Sequence, residues 1–374
     1  MNSMIAIENG DVVGGLRSFL KTILETEEVD ALFVPLETEK GAILPALVMD
    51  PAQLDRANPL APVMPINSAR AISAITGKKS PVRLGAVLRP CEIRALIELV
   101  KLQQASLEGV TLIGMDCPGT FEVADYVSRK QNGGFELANY LEAAKKGQEP
   151  ALEGMALRSA CQMCVQPAPS HVAIHLQLFG ADAGSGIPVE IEDELASKLQ
   201  MPTGGGEKTD QRRGAFEQLV TKRKQAREKE LSSIRGQMNS DGGIAGLFET
   251  CIRCHNCMNA CPICYCKTCL FRTTSFDHQP EHYITAARRK GAVRMLGDTL
   301  LFHMTRLNHM SASCVSCGMC TSACPSDIPV GAIFSAVGEQ VQSAFGYVPG
   351  QDPAEPLPLI TFQANEWTEV GEAK

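Results

Sequence analysis

The sequence predicts an α/β domain followed by a mainly α-helical domain that carries most of the cysteines. Two observations predict this order. A strand, a helix and a strand follow one another within residues 83–114, and eleven of the fifteen cysteines fall between Cys251 and Cys324. With 374 residues, the chain exceeds what one compact core usually holds, so at least two domains are expected.

The composition excludes several classes of protein. Apolar residues make up 44% of the chain and charged residues 21%, as in an ordinary globular protein. The net charge of −7 offers no basic surface to a polyanion, so nucleic acid is not an expected partner. No apolar run reaches the roughly 18 residues of a membrane span, and the first residues do not resemble a signal peptide. The expected location is the cytoplasm.

The first part of the chain reads as alternating helices and strands. Gly14 and Gly15 open a segment with helical spacing of its apolar residues, and residues 31–34 form a short strand candidate. Residues 83–88 and 110–114 are two further strand candidates, separated by a helix with an apolar stripe. A strand, a crossover helix and a strand form a βαβ unit, in which the two strands are parallel.

Composition changes along the chain suggest four segments. Residues 1–210 form the α/β domain, and residues 211–245 form a charged helical linker. The linker is predicted to be a solvated helix, with a docking surface for an acidic partner as the alternative. Residues 246–345 form the helical cysteine-rich domain, and residues 346–374, with their spaced prolines, form an extended C-terminal arm.

One cysteine motif occurs twice in the helical domain. The pattern Cys-x2-Cys-x2-Cys-x3-Cys-Pro appears in two copies with an offset of 63 residues at every cysteine: Cys251, Cys254, Cys257 and Cys261, then Cys314, Cys317, Cys320 and Cys324. This spacing is typical of ferredoxins, in which the fourth cysteine binds the other of two four-iron clusters. A pair of zinc sites is the alternative, but zinc ribbons space their cysteines as two separated pairs.

The repeat therefore predicts two 4Fe-4S clusters with exchanged fourth ligands. The predicted ligand sets are Cys251, Cys254, Cys257 and Cys324 for one cluster, and Cys314, Cys317, Cys320 and Cys261 for the other. The 52 residues between Cys261 and Cys314 contain helical apolar patterns, which favours a helical two-cluster ferredoxin. Three more thiols, Cys264, Cys266 and Cys269, are either alternative ligands or plain reduced thiols, and the second interpretation is preferred.

Four other cysteines suggest a third site. Cys91 and Cys117 each follow a predicted strand, and parallel strands place both at the edge of the sheet where α/β proteins bind ligands. Neighbouring strands would lie about 4.8 Å apart, so the two thiols could share a cluster. Cys161 and Cys164 would supply the other pair of thiols. Buried apolar thiols are the alternative.

These motifs resemble the beta-subunit family of coenzyme F-420-reducing hydrogenase and related formate dehydrogenases. The resemblance covers roughly residues 10–200 and rests on the helix after Gly14-Gly15, Pro90-Cys91, Asp116-Cys117-Pro118, and Cys161-Gln162-Met163-Cys164 followed by Pro167. It implies an α/β flavin and iron-sulfur domain, with FAD beside a third 4Fe-4S cluster held by Cys91, Cys117, Cys161 and Cys164. Residues 250–350 resemble the helical two-cluster ferredoxin of heterodisulfide reductase and fumarate reductase iron-sulfur subunits.

The flavin expectation depends on this resemblance, because no Gly-x-Gly-x-x-Gly follows a strand. Gly14 and Gly15 are candidate flavin-binding residues, since a helix N-terminus with glycine lets a phosphate approach the backbone. An ordinary turn is the alternative.

The expected function is that of an electron-transfer subunit in a cytosolic redox complex. Electrons would move between a hydride carrier, a deazaflavin coenzyme or NAD(P)H, at FAD and a partner subunit through three 4Fe-4S clusters. Expected partners are formate dehydrogenase, hydrogenase or heterodisulfide-reductase-like subunits. A flavin-free iron-sulfur wire between such subunits is one alternative, and a structural or regulatory iron-sulfur protein is another. No side chain is nominated as a catalytic acid or base.

Overall fold

The structure is a computed structural model that describes residues 1–77, 79–133, 135–151, 154–204, 209–295 and 297–358. Its strands are β1 (Asn2–Ala6), β2 (Ala31–Glu37), β3 (Ile43–Val48), β4 (Leu84–Leu88), β5 (Val110–Met115), β6 (Ile174–Leu176) and β7 (Gly186–Ile191). Within the described residues these seven strands form one mixed sheet in the order β1-β7-β6-β5-β4-β2-β3.

The helices surround the sheet and then continue beyond it. The first eight are α1 (Val12–Glu25), α2 (Ala69–Thr76), α3 (Pro90–Lys101), α4 (Val123–Gln131), α5 (Leu137–Lys145), α6 (Ser159–Gln162), α7 (Asp193–Lys198) and α8 (Thr209–Met238). The others are α9 (Gly243–Leu247), α10 (Asn256–Ala260), α11 (Pro280–Lys290), α12 (Thr299–Met310), α13 (Met319–Ser322) and α14 (Val330–Ala344). The predicted order of an α/β part followed by a mainly helical part is confirmed.

The predicted βαβ unit lies at the centre of the sheet. Strands β4 and β5 are parallel neighbours, with Leu88 opposite Gly114 at their carboxyl ends, and α3 connects them. All five residues of β4 are buried, as expected for a parallel strand covered on both faces. Cys91 and Cys117 therefore follow adjacent strand ends at one edge of the sheet.

The outer strands of the sheet carry weaker sequence signals. Strand β1 pairs antiparallel with β7, from Asn2 opposite Glu190 to Ala6 opposite Gly186. Strand β6 has only three residues, and β3 exposes Leu44 and Leu47 at the opposite edge. Short or half-exposed strands lack the continuous buried run that identified β4 and β5.

The charged helix α8 is partly buried, rather than wholly solvated as the sequence predicted. One side of the helix buries Ala215, Leu219, Leu231 and Ile234. The Nε of Arg227 donates to Glu339 of α14 at 3.0 Å. Helix α8 thus packs along both parts of the molecule, which explains how a segment with few apolar residues keeps a fixed position.

The described part of the C-terminal arm, residues 346–358, contains no helix or strand and lies against α3. The Nε of Arg94 donates to the Pro349 carbonyl at 2.8 Å, and Gly350 N donates to the buried Glu98 carboxylate at 2.7 Å. Residues 359–374 of the predicted arm lie outside the described residues. Among the described helices, none combines the length and apolar character that crossing a membrane requires.

Candidate iron-sulfur sites

Four cysteines of the α/β part line one cavity of about 270 Å³ at the carboxyl edge of β4 and β5. Cys91 lies in the first turn of α3, and the N–H of Cys117 donates to the Pro167 carbonyl at 2.7 Å. That hydrogen bond holds the chain after Cys164 beside Cys117. The Oγ1 of Thr120 lies 3.2 Å from the Cys161 sulfur. We call Cys91, Cys117, Cys161 and Cys164 the sheet-edge group.

Buried positive charge faces the sheet-edge group. The Nη1 of Arg89 donates to the Cys117 sulfur at 3.6 Å. Arg223 of α8 is fully buried and donates through Nη2 to the Pro118 carbonyl, while its Nη1 has no hydrogen-bond partner among the described residues. Glu149 lies 3.8 Å from the Nε of Arg223, and the unused Nη1 donor of this buried cation favours a further anionic neighbour. An iron-sulfur cluster with four thiolates carries negative charge, so these residues fit such a group.

The second set of cysteines shares this neighbourhood. Cys314 and Cys317 also line the sheet-edge cavity. Burial raises the pKa of Cys320 well above its usual range, and the nearby thiols of Cys261, Cys317 and Cys314 contribute. Helix α10, which ends just before Cys261, packs against α13, which contains Cys320, so Cys261 of the first motif copy lies with the cysteines of the second copy. We call Cys261, Cys314, Cys317 and Cys320 the inner group.

The remaining four predicted ligands form a third set. Cys251, Cys254, Cys257 and Cys324 line one small cavity, and we call them the outer group. Arg306 donates from Nη1 to the Cys257 sulfur at 3.1 Å, and His303 Nε2 lies 3.2 Å from the Cys251 sulfur. Cys254 is exposed. The structure thus brings together all three predicted sets, while their role as ligands stays a prediction.

The two motif copies share an unusual backbone conformation. Arg253 and His255 have φ of 54° and 63°, and the matching Ser316 and Gly318 have φ of 56° and 72°. In each loop, the two residues with positive φ are separated by one residue without it, and this alternation curves the loop around its cysteines. Non-glycine residues in this region cost roughly 1–3 kcal/mol each and cluster at functional sites. The same left-handed conformation at equivalent positions indicates that both loops are shaped around the same kind of group.

Burial makes Cys91 and Cys261 poor thiolates on their own. It raises the pKa of Cys91 well above its usual range and that of Cys261 to about 12. A bound metal deprotonates a coordinating thiol outright. Within the described residues, no three His, Cys, Asp or Glu side chains converge closely enough to hold a single metal ion. The cysteines line cavities instead, which suits a cubane because its thiolates attach at outer corners.

The other singled-out thiols do not join these groups. Cys266 is exposed, and the Cys269 sulfur lies 3.8 Å from the sulfur of Met258. Burial raises the pKa of Cys264. Their assignment as plain reduced thiols stays a prediction.

Asp116 of the Asp116-Cys117-Pro118 motif has a structural role. Its buried carboxylate accepts backbone hydrogen bonds from Leu178 and Phe179, at 2.9 and 3.1 Å. Burial alone would raise its pKa, but hydrogen bonds from His175 and Arg212 hold the pKa of Asp116 below its usual range. The ionised carboxylate therefore fixes the chain next to Cys117.

The two glycines nominated for flavin binding do not fit a phosphate. The N–H of Gly14 donates to the Asp11 carboxylate at 2.9 Å, so an acidic side chain already caps this helix end. A side chain at Gly15 would overlap Ile7 and approach the Ala6 carbonyl to 3.1 Å. Neither glycine lines the sheet-edge cavity. Close packing within the chain explains both glycines, and flavin binding there remains a prediction that this geometry disfavours.

Replacing Gly15 by valine is expected to destabilise the fold by about 1–3 kcal/mol, because the added side chain displaces Ile7 and crowds the Ala6 carbonyl. Chemical denaturation of the holoprotein measures this cost. Gly214→Ala in α8 is the matched control, since its added methyl meets no atom within 4 Å and should be neutral or slightly stabilising. A stable Gly15→Val protein that has lost only its flavin would contradict the packing explanation.

The arginines of these sites were missed in the sequence. Arg158 is buried and joins the two parts of the molecule, donating to Ser322 Oγ at 2.9 Å and to the Cys317 carbonyl at 3.2 Å. Arg89 and Arg158 stand two and three residues before a motif cysteine, which is a usable signal. Arg306 and Arg223 do not stand just before a motif cysteine, so only the structure shows that they face the cysteines.

Comparisons with known proteins agree with this architecture. Residues 247–328, which hold both motif copies, match the 4Fe-4S dicluster domain family. The chain is 29% identical over 329 residues to the F420-dependent formate dehydrogenase subunit beta of Methanocaldococcus jannaschii, covering 80% of this chain and 81% of the relative. It is also 25% identical over 312 residues to the F420-dependent formate dehydrogenase 1 subunit beta of Methanococcus maripaludis. That match covers 74% of this chain and 75% of the relative.

Among solved structures, a chain of the F420-reducing [NiFe] hydrogenase complex from Methanosarcina barkeri matches with a TM-score of 0.43 and 13% identity, covering 62% of this chain and 92% of that chain. The relatives matched by sequence are oxidoreductase subunits. The resemblance predicted from the cysteine motifs is thereby confirmed: the chain is a homologue of the beta subunits of F420-dependent formate dehydrogenases and contains a 4Fe-4S dicluster domain.

Proposed function

We propose that this chain is the electron-transfer subunit of a cytosolic oxidoreductase complex of the formate dehydrogenase or hydrogenase kind. The observation that carries the proposal is the arrangement of twelve cysteines in three adjoining groups of four. Cys314 and Cys317 of the inner group line the same cavity as the sheet-edge group, and Cys324 of the second motif copy lies with the outer group. Four-iron clusters, when bound, carry single electrons.

The positions of the groups suggest an order. Cys317 of the inner group lines the sheet-edge cavity and raises the pKa of Cys91 more than any other thiol does. The inner group therefore lies next to the sheet-edge group. The outer group contains Cys254, which is exposed. Electrons would therefore pass between the sheet edge and the surface at Cys254, with the inner group between them, in either direction.

The chain's own residues would bury and tune the clusters. Arg89 and Arg306 donate hydrogen bonds to sulfur, and Arg223 adds buried positive charge. Reduction potentials depend on such hydrogen bonds, on nearby charge and on exposure to solvent. The cytosolic location agrees with fifteen unpaired cysteines, because disulfides are rare in that compartment.

We also propose that FAD binds beside the sheet-edge group and faces a deazaflavin coenzyme or NAD(P)H. A hydride brings two electrons and one proton, and a flavin, when bound, accepts the pair so that electrons leave singly. Arg94 and Arg227 line the cavity and are candidates for contacts with phosphate. The second candidate function is a flavin-free wire between a formate dehydrogenase or hydrogenase catalytic subunit and a heterodisulfide-reductase-like module. It is favoured by the close packing around Gly14 and Gly15, which leaves no room for a phosphate there.

Anaerobically purified protein is expected to contain about twelve iron atoms and twelve acid-labile sulfides per chain, from three four-iron clusters. Iron, sulfide and flavin are assayed on the same sample. A Cys266→Ser variant is the control and should keep the full iron content, because Cys266 lies outside all three groups.

Iron near eight atoms per chain would remove the sheet-edge cluster from the proposal, and iron near four would contradict the main proposal. FAD released on denaturation supports the flavin-containing complex. Full iron without flavin supports the flavin-free wire.

A further inference from the structure

We propose that an electron-transfer partner with an apolar surface edged by acidic side chains docks over the outer group. The inference rests on the proposed function and specifies where electrons leave or enter the chain. We call the docking surface the outer face and define it by four exposed apolar side chains: Ile252, Leu270, Leu301 and Met304.

Exposed apolar side chains concentrate in this part of the molecule. Eight of the thirteen large apolar side chains that are exposed among the described residues fall within residues 252–304. Single exposed apolar residues need no explanation, but concentrated ones mark interaction sites.

Helix α12 shows the effect most clearly. Phe302 is fully buried beneath the helix, whereas Leu301 is 51% exposed and Met304 is 42% exposed on its outer side. A helix that is apolar on all sides is usually covered on all sides. The part of the chain that the structure describes covers the side of α12 that holds Phe302, His303 and Arg306 and leaves Leu301 and Met304 uncovered.

The contacts of α12 gather the other exposed residues around it. Asp298, just before the helix, pairs with Arg253, which fixes the loop that exposes Ile252. The ring of Phe271 meets Phe302 edge-on at 5.1 Å, which places the exposed Leu270 beside the same helix. The exposed Cys254 belongs to this region, so a partner here would sit directly over the outer group.

The charge of the region defines the partner. Within residues 251–310, six Lys or Arg and two Asp or Glu are exposed, in a chain whose net charge is −7. Arg288, Arg289 and Lys290 are exposed at the end of α11, and Arg294 shortly after them donates to the Glu249 carbonyl at 3.0 Å, just before Cys251 of the outer group. A second copy of this basic surface would be repelled, whereas an acidic surface would be attracted and steered to it.

Stopped-flow electron transfer tests the proposal with an acidic ferredoxin as the probe. The full-length holoprotein is reduced, and the second-order rate of probe reduction is measured at several salt concentrations. We expect the rate to fall with ionic strength. The double variant Arg288→Glu/Arg289→Glu and the variant Leu301→Glu should each lower it about tenfold at low salt.

The control variant is Leu47→Glu, which adds the same charge to an exposed apolar position on strand β3, and it should transfer electrons at the unaltered rate. Normal rates in the α11 and α12 variants would overturn the docking proposal, provided their clusters are still reduced by dithionite. Clusters that are absent or not reducible in the unaltered protein would instead overturn the proposed function. A holoprotein dimer that Leu301→Glu converts to monomer would assign the outer face to a second copy and overturn the acidic partner.

Discussion

A Cys324→Ala variant is expected to lose the four-iron signal of the outer group, although Cys324 belongs to the other copy of the motif. Cys324 lines the same cavity as Cys251, Cys254 and Cys257, so its loss leaves that group with three thiols. Electron paramagnetic resonance of the dithionite-reduced protein measures the change.

Paired variants make this test decisive. Cys254→Ala should remove the same signal as Cys324→Ala, because both residues belong to the outer group. Cys320→Ala and Cys261→Ala should each remove the signal of the inner group, since both residues belong to that group. If Cys324→Ala instead matches Cys320→Ala, each motif copy keeps its own cluster and the exchange of fourth ligands is wrong.

Arg306→Met is expected to lower the reduction potential of the outer cluster by about 60–130 mV. The guanidinium donates to the Cys257 sulfur at 3.1 Å and is buried, with Phe334 beneath it at 4.9 Å. A hydrogen bond to a charged group contributes roughly 1.5–3 kcal/mol, and its loss disfavours the more negative reduced state. The voltage follows from about 59 mV for each tenfold change in a one-electron equilibrium.

A potentiometric titration monitored by paramagnetic resonance gives this potential. Arg306→Lys keeps the charge but not the guanidinium donors, so its potential should fall between those of the two other proteins. Iron content must remain full in each variant for the comparison to hold. An unchanged potential in a fully loaded Arg306→Met protein would exclude the hydrogen bond as a tuning element.

The centre of the fold was predictable from the sequence because its signals are local. Strands β4 and β5 are continuous apolar runs, and Pro90 begins the helix between them. The pairing of β1 with β7 depends instead on residues almost two hundred positions apart. No local pattern encodes such a contact.

The cysteines were identifiable for a different reason. Ligand spacing in a tight loop is fixed by covalent geometry, so the repeated motif is recognisable without a structure. The arginines that face the cysteines obey no such spacing. Arg223 illustrates this, because its place in a charged run predicts exposure, yet helix α8 buries it completely against Pro118. Buried charge depends on tertiary contacts that only the folded chain reveals.

The pairing of β1 with β7 also bears on the order in which parts of the chain can fold during synthesis. The sheet can close once residue 191 has been synthesised, whereas the sheet-edge cavity is completed by residues as late as Pro349. At about 5–20 residues per second, that interval lasts roughly 8–30 seconds on the ribosome. In that interval Cys91, Cys117, Cys161 and Cys164 would lie at a folded sheet edge without α8, α14 and the C-terminal arm, which also line the cavity and come later in the chain. Insertion of a cluster there would be least hindered before those segments close the cavity.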